Sequence, residues 1–233
     1  MKKKAVFNWS GGKDSALALY RLLQSNEYEI VSLLTTVNSK TKRSSMHGIP
    51  IALLREQSNS IGIPVCLIEY DPDEKIGGYE ECMLKAVDYF KSRGVSRFAF
   101  GDIFLHDVRS YREQKLNPHG IEVVEPLWNI NPTEVMREFL HSGLKSVVVT
   151  TMANHLNETY IGRLIDKSFT ENLPGGVDIL GENGEYHSFC FDGPIFKYPV
   201  PYSLGKPFIF THTINMDDGT QQTFSYWCAD LNE

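Results

Sequence analysis

The stretch Ser10-Gly11-Gly12-Lys13-Asp14-Ser15 decides the fold, because of what stands on either side of it. Before it, Ala5–Asn8 is a short apolar run. After it, Asp14–Leu23 sets Ala16, Leu17, Leu19, Tyr20 and Leu23 on one helical stripe. A strand, a glycine-rich turn and a helix in that order open a parallel α/β sheet, and the turn then lies at the carboxyl edge where such sheets bind ligands. Two glycines let the backbone turn tightly and approach an anion without Cβ interference. The helix start adds unpaired N–H groups and the positive end of the helix dipole. Ser10 and Ser15 contribute hydroxyl donors, Lys13 a cation, and Asp14 a carboxylate able to hold a divalent metal or to cap the helix. The spacing matches neither the GxxxxGK[ST] phosphate loop nor the GxGxxG dinucleotide loop. From the residues alone, an anion site and a plain capped helix both stand.

The same rhythm continues outward. Ile30–Val37, Val65–Glu69, Phe98–Gly101, Val123–Pro126 and Ser146–Thr151 read as strands, and Pro50–Ile61, Tyr79–Ser92 and Thr133–Ser142 as helices. Short apolar strands between amphipathic helices predict a parallel sheet covered on both faces. After about residue 155, glycines and prolines thicken and short alternating pieces such as Tyr186–Phe191, Phe208–Ile214 and Gln222–Trp227 predict a smaller α+β lobe. The expected division is 1–153 and 154–233.

The chain has 233 residues, 42% hydrophobic and 22% charged, which suits a folded globular protein. No apolar run is long enough for a membrane helix, and the basic tip Met1–Lys4 gives way to Trp9-Ser10-Gly11-Gly12 too early for a signal peptide, so a cytoplasmic protein is expected. With 23 basic and 29 acidic side chains the net charge is −6, which argues against a nucleic-acid partner. Cys66, Cys82, Cys190 and Cys228 form no CxxC pair and read as small buried apolar residues. The 13 Phe, 11 Tyr and 3 Trp permit a homodimer interface, and two-lobed packing uses them equally well.

The hexapeptide resembles the pyrophosphate loop (PP-loop) of the N-type ATP pyrophosphatases, the adenine nucleotide alpha hydrolases. That resemblance implies a five-stranded parallel sheet with helices on both faces, ATP and Mg²⁺ as cofactors, and cleavage to AMP and pyrophosphate by adenylation of a substrate oxygen. Ser10, Gly11, Gly12, Lys13, Asp14 and Ser15 would hold the phosphates, Asp14 the metal, and adenine would lie over the second strand near Leu34–Val37, with Thr35, Met46 and Gly101 beside the nucleotide. Two further stretches resemble the diphthine–ammonia ligases within that superfamily. One is Gly101-Asp102-Ile103-Phe104 with Arg109, Arg112 and Glu113 downstream; the other is Gly181-Glu182-Asn183-Gly184-Glu185-Tyr186-His187. Gly176-Val177-Asp178 and Asp192-Gly193-Pro194-Ile195-Phe196 fit the same family, so the resemblance covers nearly the whole chain.

The resemblance implies an ATP-dependent amide-forming ligase acting on a small or peptide-borne carboxylate and ammonia. Lys13 and Arg109 would offset phosphate charge, while Asp102, Glu182, Glu185 and His187 would line the acceptor pocket. Structural roles compete: Asp102 as a helix cap, Arg112 in a helical ion pair, Glu182 and Glu185 in turn bonds. The match departs where Tyr111 stands at the family's second arginine position, and where Ser44-Ser45-Met46-His47-Gly48 shortens a longer acceptor loop. The departures resemble the bacterial branch, whose acceptor need not be diphthine. No glutaminase-like or other added segment follows the small lobe, so free ammonia or a small amine is the expected donor. Adenylation of a tRNA or nucleotide base, and adenine-nucleotide sensing without catalysis, are the other readings.

Overall fold

A computed structural model describes residues 2–45, 47–72, 78–215 and 221–233. Met46, expected beside the nucleotide, lies outside the described residues. The first half runs β1 (Lys3–Asn8), α1 (Lys13–Ser25), β2 (Tyr28–Asn38), β3 (Arg43–Ser44), α2 (Ile51–Ile61), β4 (Val65–Tyr70), α3 (Tyr79–Lys91), β5 (Arg97–Ala99), α4 (His106–Leu116) and β6 (Glu122–Val124). There follow α5 (Pro132–Ser142), β7 (Lys145–Met152), α6 (Lys167–Glu171), β8 (Tyr186–Asp192), β9 (Ser203–Leu204), β10 (Phe208–Asn215), β11 (Gln221–Cys228) and β12 (Leu231–Asn232).

The first sheet is six-stranded and mixed, where a five-stranded parallel sheet was expected. The parallel part is there: β1 pairs with β2 and β5, β2 with β4, and β5 with β6, all in parallel. The sixth strand is the two-residue β3, which turns back and pairs antiparallel with Val37 and Asn38 at the far end of β2. That end of β2 runs past β1, whose pairing stops at Asn8↔Leu34, so its backbone groups need another partner. Ala5, Val6 and Phe7 of β1 are fully buried, as a strand covered on both faces requires. Val6 packs with Val87 and Phe90 of α3 in one cluster; Phe7 packs with Leu17 of α1 and Leu53 of α2 in the other.

A second correction concerns β7. Its apolar run, expected to continue the parallel rhythm, pairs antiparallel with β8 and β11 in a four-stranded sheet of order β10-β11-β7-β8. β9 and β12 form a separate two-stranded pair. The second sheet meets the first at the glycine turn: the Cys190 amide of β8 donates to the Gly11 carbonyl at 2.8 Å. Among the described residues no helix is long and apolar enough to cross a membrane.

Candidate functional site

The turn between β1 and α1 is fixed from three sides before any ligand is considered. Gly11 has φ +85°, a left-handed conformation that suits glycine. Its carbonyl accepts from Cys190 of β8 and, at 3.0 Å, from the Gln57 side chain of α2. Gln57 is fully buried; it also donates to the Cys190 carbonyl and accepts from the Trp9 indole N–H at 2.9 Å. Next along the turn, the Lys13 amide donates to Ser188 Oγ at 3.1 Å. A Cβ at Gly12 would lie 2.5 Å from His47 Cε1 and 3.1 Å from the Ser188 carbonyl oxygen, so a side chain here would displace His47. Ser10 and Ser15 join hydroxyls at 3.1 Å across the turn. Gly12, ahead of α1, supplies no side-chain cap; Ser188 takes the first helical amide, and the rest of the first turn presents the positive end of the helix to the space above.

That space is a cavity of about 490 Å³, within the usual range for a small-molecule site. Of the residues expected at the site, it brings together Ser10, Lys13, Asp14, Ser15, Thr35, Gly101, Asp102 and Glu182. Tyr186 and His187 of β8 both line it, as does His47. Lys13 is almost wholly buried. Its ammonium is held by the Asp14 carboxylate at 2.7 and 2.8 Å and by the Leu180 carbonyl, over the Tyr186 ring. Thr35 is tied down by donating to the Trp9 carbonyl at 2.7 Å.

Two expected residues face elsewhere. Arg109 does not line the cavity: it pairs with Glu113 at 2.9 Å and Glu125 at 3.3 Å and stacks on Trp128. The arginine that reaches the cavity is Arg112, one turn further along α4, lying over the Phe100 ring and paired with Asp102. Glu185 is likewise absent from the wall. It is buried and spends its oxygens on the Asp178 and Asn183 amides at 3.1 Å, so its work is to close the turn. Asp102 caps nothing, since the residue ahead of α4 is Leu105.

Sequence reasoning missed Glu125, whose side chain is only 1% exposed and lies between Arg109 and Arg112. Its place directly after β6, on the same sheet edge as Asp102, was the available signal. It also missed Gln57, whose signal was a glutamine on the apolar face of α2.

Burial sets the titration of the site. The Glu182 carboxyl is pushed up to about 7, chiefly by burial and then by Asp14. His187 is pushed down to about 3 by burial, with His47 and Lys13 adding to it. Burial lowers His47 too, against the Ser188 carbonyl it contacts at 3.0 Å through Nδ1. The two imidazoles, with centroids 4.8 Å apart, therefore stay neutral near neutral pH. Arg112 is lowered to about 10 by burial and remains a cation. With Lys13 and Arg112 set against Asp14, Asp102 and an ionised Glu182, the wall carries two positive and three negative charges, a net −1. An anion bound there would be held by backbone dipoles rather than by excess side-chain charge. Among the described residues no group of three or more His, Cys, Asp or Glu side chains is set to cage a metal, and Asp14, expected to hold one, has both carboxylate oxygens on the Lys13 ammonium.

Two domain families match this chain: the diphthamide synthase N-terminal domain over residues 1–122 and the diphthamide synthase C-terminal domain over residues 131–206. The diphthine–ammonia ligase of Homo sapiens is 29% identical over 79 residues, which is 32% of this chain and 30% of that protein. The diphthine–ammonia ligase of Rattus norvegicus is 30% identical over 80 residues, with the same shares. The chain thus spans about 30% of the length of these relatives. With domain matches lying on both sheets and on the loop, the acidic turn and the arginine helix alike, the chain belongs to the diphthamide synthase family.

Proposed function

We propose that the protein is an ATP-dependent amide-forming ligase, diphthine–ammonia ligase-like, that releases AMP and pyrophosphate through an adenylated carboxylate. The observation that carries this reading is the α1 start, with Ser10, Lys13, Asp14 and Ser15, opening on a cavity that also holds Arg112 and Glu182. The family relation and the relatives' names support the substrate class.

ATP is a substrate in this reading. Backbone N–H groups of the turn and the Ser10 and Ser15 hydroxyls would hold its phosphates. Lys13, already anchored by Asp14 and Leu180, would supply one fixed cation and Arg112 a second, bidentate one. Mg²⁺ would be held by Asp14 and would neutralise charge on the departing phosphates. In the first step a carboxylate oxygen attacks the α-phosphorus. The new P–O bond forms as the bond to the β-phosphate bridge breaks, and the electron pair leaves with pyrophosphate. In the second, an amine nitrogen attacks the acyl carbon, the bond to AMP breaks, and the amine proton passes to a base. Glu182, at the cavity wall with its carboxyl near neutrality, is that base. Enclosure between the two sheets keeps water from the mixed anhydride.

The test is product chromatography with Mg²⁺, ATP, ammonium and a panel of carboxylates that includes a diphthine peptide. AMP and pyrophosphate that require both the amine and one carboxylate support the reading, with Ser10→Ala lowering turnover. ADP and phosphate contradict it. Nucleotide binding with no acceptor-dependent turnover would favour a sensor.

A further inference from the structure

The strand pair β10–β11 runs in unbroken antiparallel register from Phe208↔Cys228 to Asn215↔Gln221. β10 stands at the end of its sheet, so one side of it meets no strand among the described residues. β7 supports the pair only at Tyr226–Cys228, with one further bond from the Ala153 amide to the Ser225 carbonyl. Past that support Thr211, His212, Thr213 and Thr223 are exposed. A two-stranded ribbon is at best marginally stable in water by itself. β10 and β11 also lie outside the residues that the two domain families match.

An open strand edge is ordinarily kept from pairing by charged side chains, a proline or a bulge. This one has none of them. The strands, eight residues each, contain no Asp, Glu, Lys, Arg or Pro, and their register is unbroken. Instead Phe208, Ile209 and Phe210 stand 43%, 55% and 52% exposed. One face of the ribbon is aromatic: Phe210 lies opposite Tyr226 and His212 opposite Phe224, and the Phe210 and His212 rings stack almost parallel with centroids 6.5 Å apart. The other face carries hydroxyl pairs, Thr211 with Ser225 at 3.2 Å and Thr213 with Thr223 at 3.1 Å.

The occupant this edge fits is a second copy of the same edge. A two-fold axis perpendicular to the sheet lays β10 antiparallel against its counterpart and satisfies the open backbone groups of both. Residues at the axis then meet their own copies, so a charge there would face its like, and these strands carry none. The net charge of −6 lies wholly outside the two strands and opposes close approach elsewhere. The exposed parts of Phe208, Ile209 and Phe210 come to roughly 300 Å² per copy. With both strand edges and the exposed Thr211–Thr213 positions added, two copies reach the roughly 1,000 Å² that a specific interface needs. We propose that β10 is a self-association edge, through which two copies of the chain pair, centred on Phe210, into one eight-stranded sheet. That centre keeps all three exposed apolar side chains inside the paired stretch. The proposal is independent of the ligase reading.

The test is sedimentation velocity of the full chain over a range of concentrations. The parent should move as a dimer of the 26.5 kDa chain. Phe210→Lys and Phe210→Glu, at a half-exposed position, should each raise the dissociation constant about a hundredfold, because a central aromatic is lost and like charges meet across the axis. Mixing the two variants in equal amounts should restore the dimer, since opposite charges then meet. ATP affinity should be the same throughout, because β10 contributes nothing to the cavity wall. A parent that stays monomeric up to about 0.1 mM would overturn the pairing and leave the edge to a different protein. A dimer indifferent to both substitutions, or a mixture that stays monomeric, would overturn it equally.

Discussion

The Glu182 carboxylate accepts a hydrogen bond from the Ile103 amide at 3.0 Å, across 79 positions of sequence. This contact ties the acidic turn ahead of β8 to the loop that follows β5. It explains how two stretches far apart in the chain come to line one cavity: the turn delivers Glu182, the loop delivers Gly101 and Asp102.

The same carboxylate should dominate the pH dependence. Its folded value, raised to about 7, exceeds that of a free carboxylate, so it favours the folded state fully only at acid pH and loses that contribution as pH rises through neutrality. Glu182→Gln should therefore gain stability over the parent between about pH 5 and about pH 8, on the order of 2 kcal/mol after allowance for partial exposure. Denaturant unfolding at a series of pH values checks this. Turnover should rise as pH passes neutrality in the parent and lose that limb in the variant.

Gln57 is expected to hold the phosphate turn in place. Gln57→Leu leaves the Trp9 N–H and the Cys190 carbonyl without their side-chain partner in a buried setting. The expected loss is about 2–4 kcal/mol, read from thermal or denaturant unfolding. Nucleotide affinity should fall with it, because Gly11 loses one of its two anchors.

The imidazoles of His47 and His187 should not titrate in the physiological range. Burial lowers both, His187 to about 3, so each keeps one N–H and one lone pair. Two-dimensional ¹⁵N NMR of the imidazole nitrogens should show His187 neutral from about pH 5 upward. A midpoint near that of a free histidine would mean that water reaches the pair.

Glu125 should be costly to remove and cheaper to neutralise. Glu125→Ala leaves Arg109 and Arg112 facing a buried hole and is expected to cost about 3–5 kcal/mol. Glu125→Gln keeps the shape and should cost less. Unfolding of the two variants side by side tests the order. In both, the Michaelis constant for ATP should rise, because Arg112 loses its backing.

Much of this was legible along the chain because it is local. The glycine turn, the α1 stripe and the β-branched strands are set by neighbours a few residues away, and β1, β2, β4, β5 and β6 fall where their patterns lie, whereas the two-residue β3 had none. What was not legible depends on partners distant in sequence. Val147–Thr151 is equally at home in a parallel or an antiparallel sheet, and only β8 and β11, which follow it, decide. Arg109 and Arg112 sit three apart on α4, near enough in angle that the choice of which one enters the cavity belongs to Glu125 and Asp102. Glu182 and Glu185 share one turn, yet one faces the cavity and the other closes the loop through Asn183. Gln57 stands on the apolar face of α2, but what it binds there depends on the turn folded beneath it.

The central claim is attack by a carboxylate on the α-phosphorus, and oxygen transfer tests it most directly. With a carboxylate acceptor labelled with ¹⁸O, Mg²⁺, ATP and ammonium, the AMP formed should carry one ¹⁸O taken from the carboxylate, and the pyrophosphate none. Label appearing instead in inorganic phosphate alongside ADP would place the attack on the terminal phosphorus and contradict the account.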